Sequence, residues 1–129
     1  MSNRRSALLK VPVNRAEGMA DGTITTFLSR RSMVKIGIPV FVFPNGGGES
    51  RLYIRLGNRR VIKRGDECAR TNTGLSQKEL DAIFSRKTVY GYDILEANVL
   101  EHPVSRADFD VESELQFIYS EMTLEEVLS

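Results

Sequence analysis

The sequence predicts an α/β (mixed α+β) fold: one small domain with a mixed or antiparallel sheet and a few packed helices. Three stretches carry that prediction. "MVKIGIPVFVF" (33–43) is a Val/Ile/Phe run of the kind found in buried strands. "RLYIRLGNRRVIKR" (51–64) alternates apolar and polar residues at period two around a Gly-Asn pair. "LSQKELDAIFSRK" holds a helix-start signature followed by an apolar stripe at helical spacing. A chain of 129 residues has room for one modest core.

Taken in order, residues 1–22 read as loosely structured, with "LLKVPV" able to form a short strand and "NRAEGMADG" a loop. "TITTFLS" (23–29) has strand-like β-branched content. The 33–43 strand contains Pro39, which suggests an edge or a bulge. "PNGGGES" turns the chain back. Leu52, Ile54 and Leu56 then alternate with Arg51, Tyr53 and Arg55, Gly57-Asn58 reads as a two-residue turn, and "RRVIKR" returns. This predicts a hairpin with strands over 51–56 and 60–64.

After the loop "GDECARTNTG", Ser76 and Glu79 form a capping box and Leu75 and Leu80 a hydrophobic staple. A helix over 76–86 follows. "TVYGYDIL" reads as a strand, and "EANVLEHPV" leaves no clear signal. In "DFDVESELQFIYS", Phe109, Val111, Leu115, Phe117 and Tyr119 alternate, while Ala107, Val111, Leu115, Ile118 and Met122 keep helical spacing. The longer alternation favours a strand near 109–119. "MTLEEVLS" has a second capping box, Thr123 with Glu126, and a second staple, Met122 with Val127. So short a helix needs tertiary support. Either it docks on the core or the natural chain continues past 129, and the abrupt end favours the second.

Composition narrows function mainly by exclusion. No apolar run approaches the ~20 residues needed to cross a bilayer, so no membrane contact is expected. One cysteine, Cys68, precludes an internal disulfide and, with one histidine, a Cys/His zinc site within the chain. Residues 1–75 hold 14 Lys/Arg against 5 Asp/Glu, and residues 76–129 hold 4 against 12. Such asymmetry points to nucleic-acid contact, self-association through opposite faces, or a basic surface shielded by the chain's own acids.

The expected hairpin concentrates this signal. A two-residue turn sets Arg55 opposite Arg60, Tyr53 opposite Ile62 and Arg51 opposite Arg64. Opposed like charges destabilise a ladder, so an anion should lie across them. RNA phosphate is one source, with Tyr53 free to stack on a base. The chain's own Asp108, Asp110, Glu112 and Glu114 are the other. The candidate RNA-binding residues are therefore Arg51, Tyr53, Arg55, Arg60 and Arg64.

Other motifs carry less. "PNGGGESR" lacks the lysine of a phosphate-binding P-loop and reads as a turn. Cys68 and His102 lie far apart in sequence, and a core thiol with a loop imidazole is the plainer reading. The acids at 108–114 read as a solvated or ion-paired face. No catalytic residue, metal or cofactor is assigned.

The whole-chain layout resembles the small accessory proteins of the polymerase complex in cystoviruses, the double-stranded RNA phages. It combines a basic "RLYIRLGNRRVIKR" in the first half, an acidic second half and the abrupt "MTLEEVLS" end. The resemblance implies a non-enzymatic assembly and packaging factor of the virion inner core, present in the bacterial cytoplasm during assembly. It also implies contacts with capsid and polymerase proteins and with RNA, and an α/β core that forms a homodimer. Two alternatives stay open: a purely protein-binding structural dimer, and a small phage-encoded enzyme or inhibitor of a host enzyme.

Overall fold

A computed structural model of the protein describes residues 4–29, 35–67, 71–85, 88–109 and 116–129. The elements, in order, are strand β1 (Ser6–Val11), helix α1 (Val13–Asp21), strands β2 (Thr26–Ser29), β3 (Pro39–Pro44) and β4 (Ser50–Ile62), helix α2 (Gln77–Ile83), strand β5 (Val89–Val104), a 3₁₀ turn (Arg106–Asp108), strand β6 (Phe117–Ser120) and helix α3 (Leu124–Leu128). The strands form one six-stranded sheet in the order β2-β5-β4-β3-β1-β6. Only β1 and β3 run parallel; the other four pairings are antiparallel. The predicted mixed α+β domain is the observed one. No described helix is long and apolar enough to cross a membrane.

Both faces of the sheet are covered, which explains the apolar runs in β1 and β3. On the inner face Leu9, Val42 and Leu52 stand in one cross-strand row and Ala7, Val40 and Ile54 in the next, with Met19 of α1 packed over them. On the outer face Leu8, Phe41 and Phe43 pack with Phe109 and with Val127 of α3. A third cluster joins Leu28, Ile62 and Val89 to Leu80 of α2.

The N-terminal segment departs in part from the expectation of a loose 1–22: the short strand allowed in "LLKVPV" is there as β1, beginning two residues earlier, while the stretch expected as a loop, "NRAEGMADG", is helix α1. β1 is paired on both sides, by β3 and by β6, and Ala7 and Leu8 are fully buried. A strand buried on both faces shows no alternation, so "ALLKV" lacked the period that marks a half-exposed strand. Helix α1 has no side-chain N-cap and ends on Gly22 in the left-handed region (φ 87°). Its start therefore left no capping signature.

The hairpin is also corrected. β4 is a single thirteen-residue strand that runs straight through Gly57 and Asn58. Its partner over that stretch is β5, with Gly57 opposite Asp93 and Arg60 opposite Gly91. Three steps on β4 thus match two on β5, which defines a bulge, and Asn58 absorbs it at φ 53°. Asn tolerates the left-handed region better than most residues. Gly57 serves close packing: a Cβ there would lie 2.5 Å from Leu95 Cδ1, and Leu95 is the extra residue of a second bulge, on β5.

The helix predicted over 76–86 is observed over 77–83 with both halves of its capping box formed, and Leu75 and Leu80 meet in the third cluster. Thr123 and Glu126 likewise cap α3. Met122 and Val127 both join the outer-face core, so the last helix docks there. The strand expected near 109–119 is observed over 117–120, and residues 110–115 lie outside the described residues. Residues 33 and 34 of the 33–43 strand lie outside them too, and pairing begins at Pro39, where a first position suits a residue without an N–H.

Candidate functional site

The loss of the hairpin rearranges the arginines without scattering them. Because the bulge at Asn58 shifts the strand's phase by one, Arg51, Tyr53 and Arg55 before it share the outer face with Arg60 and Ile62 after it. They stand in line along one strand, and the opposed pairs do not exist. Arg51 to Arg60 is a run of about 30 Å at ~3.3 Å per residue.

The anions across them belong to the same molecule. Arg55 Nε donates to Glu96 (2.8 Å) and its Nη1 to the Gly37 carbonyl (2.8 Å). Arg60 donates to Asp93 (2.8 Å), whose other oxygen accepts from the Asn58 side chain (3.0 Å). Asp93 thereby fastens the bulge, and the Arg60 hydrogen bond is the largest influence holding its carboxyl below the ordinary value. Arg64 pairs with Asp81 of α2. Tyr53 is half-buried, packed against Phe41 (5.7 Å between centroids) with the Arg55 guanidinium over its ring.

The counter-charges were expected from Asp108, Asp110, Glu112 and Glu114. Asp108 instead caps its own 3₁₀ turn by accepting from the Ser105 N–H, and the other three lie outside the described residues. Of the five predicted binding residues, only Arg51 is exposed with no ion pair among the described residues. Cys68 lies outside the described residues; His102 is exposed on β5. No cluster of metal-ligating side chains forms among the described residues.

A more enclosed site lies elsewhere. Residues of the sheet's two end strands, β2 and β6, together with residues of β1, α1 and α2, line one open-mouthed cleft of about 770 Å³. That volume falls within the range of small-ligand sites. Phe27, Phe117 and Tyr119 supply aromatic surface, and Arg15, Glu79 and Gln116 supply polar groups.

Arg15 is the unusual member. Its side chain is 16% exposed and bonds Glu79 through one terminal nitrogen. Its Nε is buried with no hydrogen-bond partner among the described residues. Glu79 accepts from the Ser76 N–H as the second half of the helix cap. That bond, with Arg15 beside it, holds the Glu79 carboxyl below its ordinary value although burial works the other way. The capping box was legible in the sequence. Its second use was not, because Arg15 is sixty-four residues away.

A group whose folded pKa is depressed stabilises the fold above its unfolded pKa and ceases to do so as pH falls through the folded value. Glu79→Gln keeps a side chain able to cap and removes the charge. We expect its acid unfolding, followed by circular dichroism below about pH 5, to begin at higher pH than that of the unsubstituted protein, because the stability supplied by the charged carboxylate is absent from the start. An unchanged acid limb would count against a charged Glu79 in the fold.

No model of a protein family matches this chain, and no curated protein does. Solved structures do. The ASCH protein of Zymomonas mobilis superposes with a TM-score of 0.69 at 13% identity, over 95% of this chain and 91% of that one. A serine-to-alanine variant of it gives 0.70 at 12% identity, over 98% and 94%. A tyrosine-to-phenylalanine variant gives 0.68 at 14%, over 95% and 94%. Such coverage establishes that the chain has the fold of the ASCH protein. At these identities the likeness concerns the fold alone. The three structures are not cystoviral proteins, and the resemblance to that family gains nothing from them.

Proposed function

We propose that the protein is a binding module for single-stranded RNA, with no bond-breaking step, that takes a nucleobase into the cleft between β2 and β6. The observation that supports this most is the buried Arg15 Nε–H that no described acceptor meets. Leaving such a donor unmet costs about 1–3 kcal/mol, which a ligand acceptor would recover. A phosphate fits poorly beside the Glu79 carboxylate. A nucleobase edge offers donors and acceptors side by side and so complements a guanidinium next to a carboxylate. Phe27 and Phe117 offer aromatic faces on which a base can stack, while Tyr119 stands edge-on to Phe117 (5.3 Å between centroids) with the Arg4 guanidinium over its ring.

The phosphates then stay outside, where exposed cations supply affinity without sequence choice. Arg51, Arg55, Arg60 and Arg64 become a secondary element in this reading, since three of the four already hold carboxylates. Exposed pairs of that kind are worth only about 0.2–1 kcal/mol and exchange readily for another anion.

Fluorescence anisotropy with a labelled single-stranded RNA tests this at several salt concentrations. Arg15→Gln should weaken binding about tenfold or more. Arg51→Ala with Arg64→Ala should lower the salt dependence and change affinity at moderate salt by less than about threefold. Thermal melts establish that each variant is folded. No affinity for RNA, or a loss confined to the Arg51 and Arg64 variant, would remove the cleft from the account.

A further inference from the structure

Tyr119 stands at a junction. It lines the cleft, and its hydroxyl accepts from the Lys35 backbone N–H. The Arg4 guanidinium lies over its ring, 4.6 Å from the centroid. The Lys35 ammonium in turn donates to the Arg4 carbonyl (3.2 Å). One tyrosine thus ties two cations to the rim of the cleft, one from the chain before β1 and one from the chain before β3. Lys35 also lines a second hollow of about 560 Å³, with Ile36, Asn58 and Arg59.

These two cations differ from the arginines already placed. Arg15, Arg55, Arg60 and Arg64 each hold a carboxylate. Arg4 and Lys35 are exposed and hold none among the described residues. Both are anchored all the same, Arg4 by its place over the ring and Lys35 by its two hydrogen bonds. A guanidinium has five donors and an ammonium three, so donors remain on each for a ligand. Gathering two like charges at one tyrosine has an electrostatic cost, which a shared anion offsets.

We infer that Arg4 and Lys35 form a phosphate subsite, holding a phosphodiester of the RNA strand whose base lies in the cleft. This rests on the cleft reading proposed above. A base seated in the cleft brings its own phosphate to the rim by covalent attachment, so the anion arrives at high effective concentration. Side chains already held in place lose little freedom in meeting it. The guanidinium over Tyr119 makes that ring a support for the cation and leaves base stacking to Phe27 and Phe117. The second hollow continues from Lys35 and carries Arg59, which gives the strand a basic path away from the cleft.

Anisotropy of the full chain with labelled single-stranded RNA, over a salt series, tests this. Arg4→Gln with Lys35→Gln keeps most of each stem at exposed positions, so the melting temperature should hold. Binding should weaken about tenfold at moderate salt, and the slope of log affinity against log salt should flatten by about 0.7 for each phosphate lost. Arg51→Ala with Arg64→Ala removes the same net charge elsewhere and is the comparison. If the two double variants match in affinity and slope, the subsite is overturned, while the cleft stands wherever Arg15→Gln still weakens binding. A loss at Arg4 and Lys35 with none from Arg15→Gln overturns the link between rim and cleft, and no affinity for RNA overturns both readings. Should the double variant fail to fold, Lys35→Gln alone decides by the same slope.

Discussion

Leu8→Pro should prevent the protein from folding at 25 °C, while Leu8→Ala should leave it folded but weakened by about 2–5 kcal/mol. Leu8 is fully buried in β1, a strand hydrogen-bonded to β3 on one side and to β6 on the other. Whichever neighbour its N–H serves, proline removes that bond and leaves the facing carbonyl unmet, a further ~1–3 kcal/mol. Side-chain loss and backbone loss together reach the scale of a small domain's whole stability, about 5–15 kcal/mol. Far-ultraviolet circular dichroism and urea unfolding of the two variants separate the contributions. If Leu8→Pro retains a native melt, the pairing of β1 with β3 and β6 does not support the fold.

That contrast shows what the sequence could convey. Signals written within a few residues of each other were readable. Ser76 with Glu79 and Thr123 with Glu126 start helices, and Leu52, Ile54 and Leu56 mark a half-buried strand. What escaped was set by partners far along the chain. The sequence allowed a short strand within "LLKVPV", but that β1 is held on both sides, and so belongs to the middle of the fold, is decided by β3 and β6.

Gly57-Asn58 illustrates the same point. The pair supplies one left-handed residue, and both a turn and a bulge can use it. The choice between them rests on Asp93, whose two oxygens tie Asn58 and Arg60 to the neighbouring strand. Asp93 lay in a stretch read as a strand and Glu96 in one that gave no clear signal. Their role as counter-charges became visible only with the β4–β5 register. The cleft was less legible still, because residues from both ends of the chain build it and no two of its polar groups form a motif.

Phe41→Ala should cost about 3–5 kcal/mol and should do so without touching RNA affinity. Phe41 is fully buried at the middle of the outer-face core, where its ring meets Phe109 edge-on (5.0 Å between centroids) and Tyr53 (5.7 Å). Phe43 meets the same Phe109 ring (6.1 Å). Removing the phenyl group opens a hole between the sheet and the cover formed by Phe109 and α3. α3 has five residues and depends on that contact, since so short a helix is not stable alone. Amide exchange in 124–128 should therefore quicken more than the global loss accounts for, because local opening becomes cheaper than full unfolding. Phe41→Leu keeps most of the apolar volume and should lose less. In urea the midpoint should fall while the slope stays constant, the mark of changed stability with an unchanged folded state. The cleft opens between the sheet's two edges and Phe41 is not among its lining residues. At temperatures where the variant is folded, its RNA affinity should therefore match that of the unsubstituted protein. A parallel fall in affinity would mean that the bound strand crosses the outer face, over Tyr53 and the β4 arginines, and would return the binding site to β4.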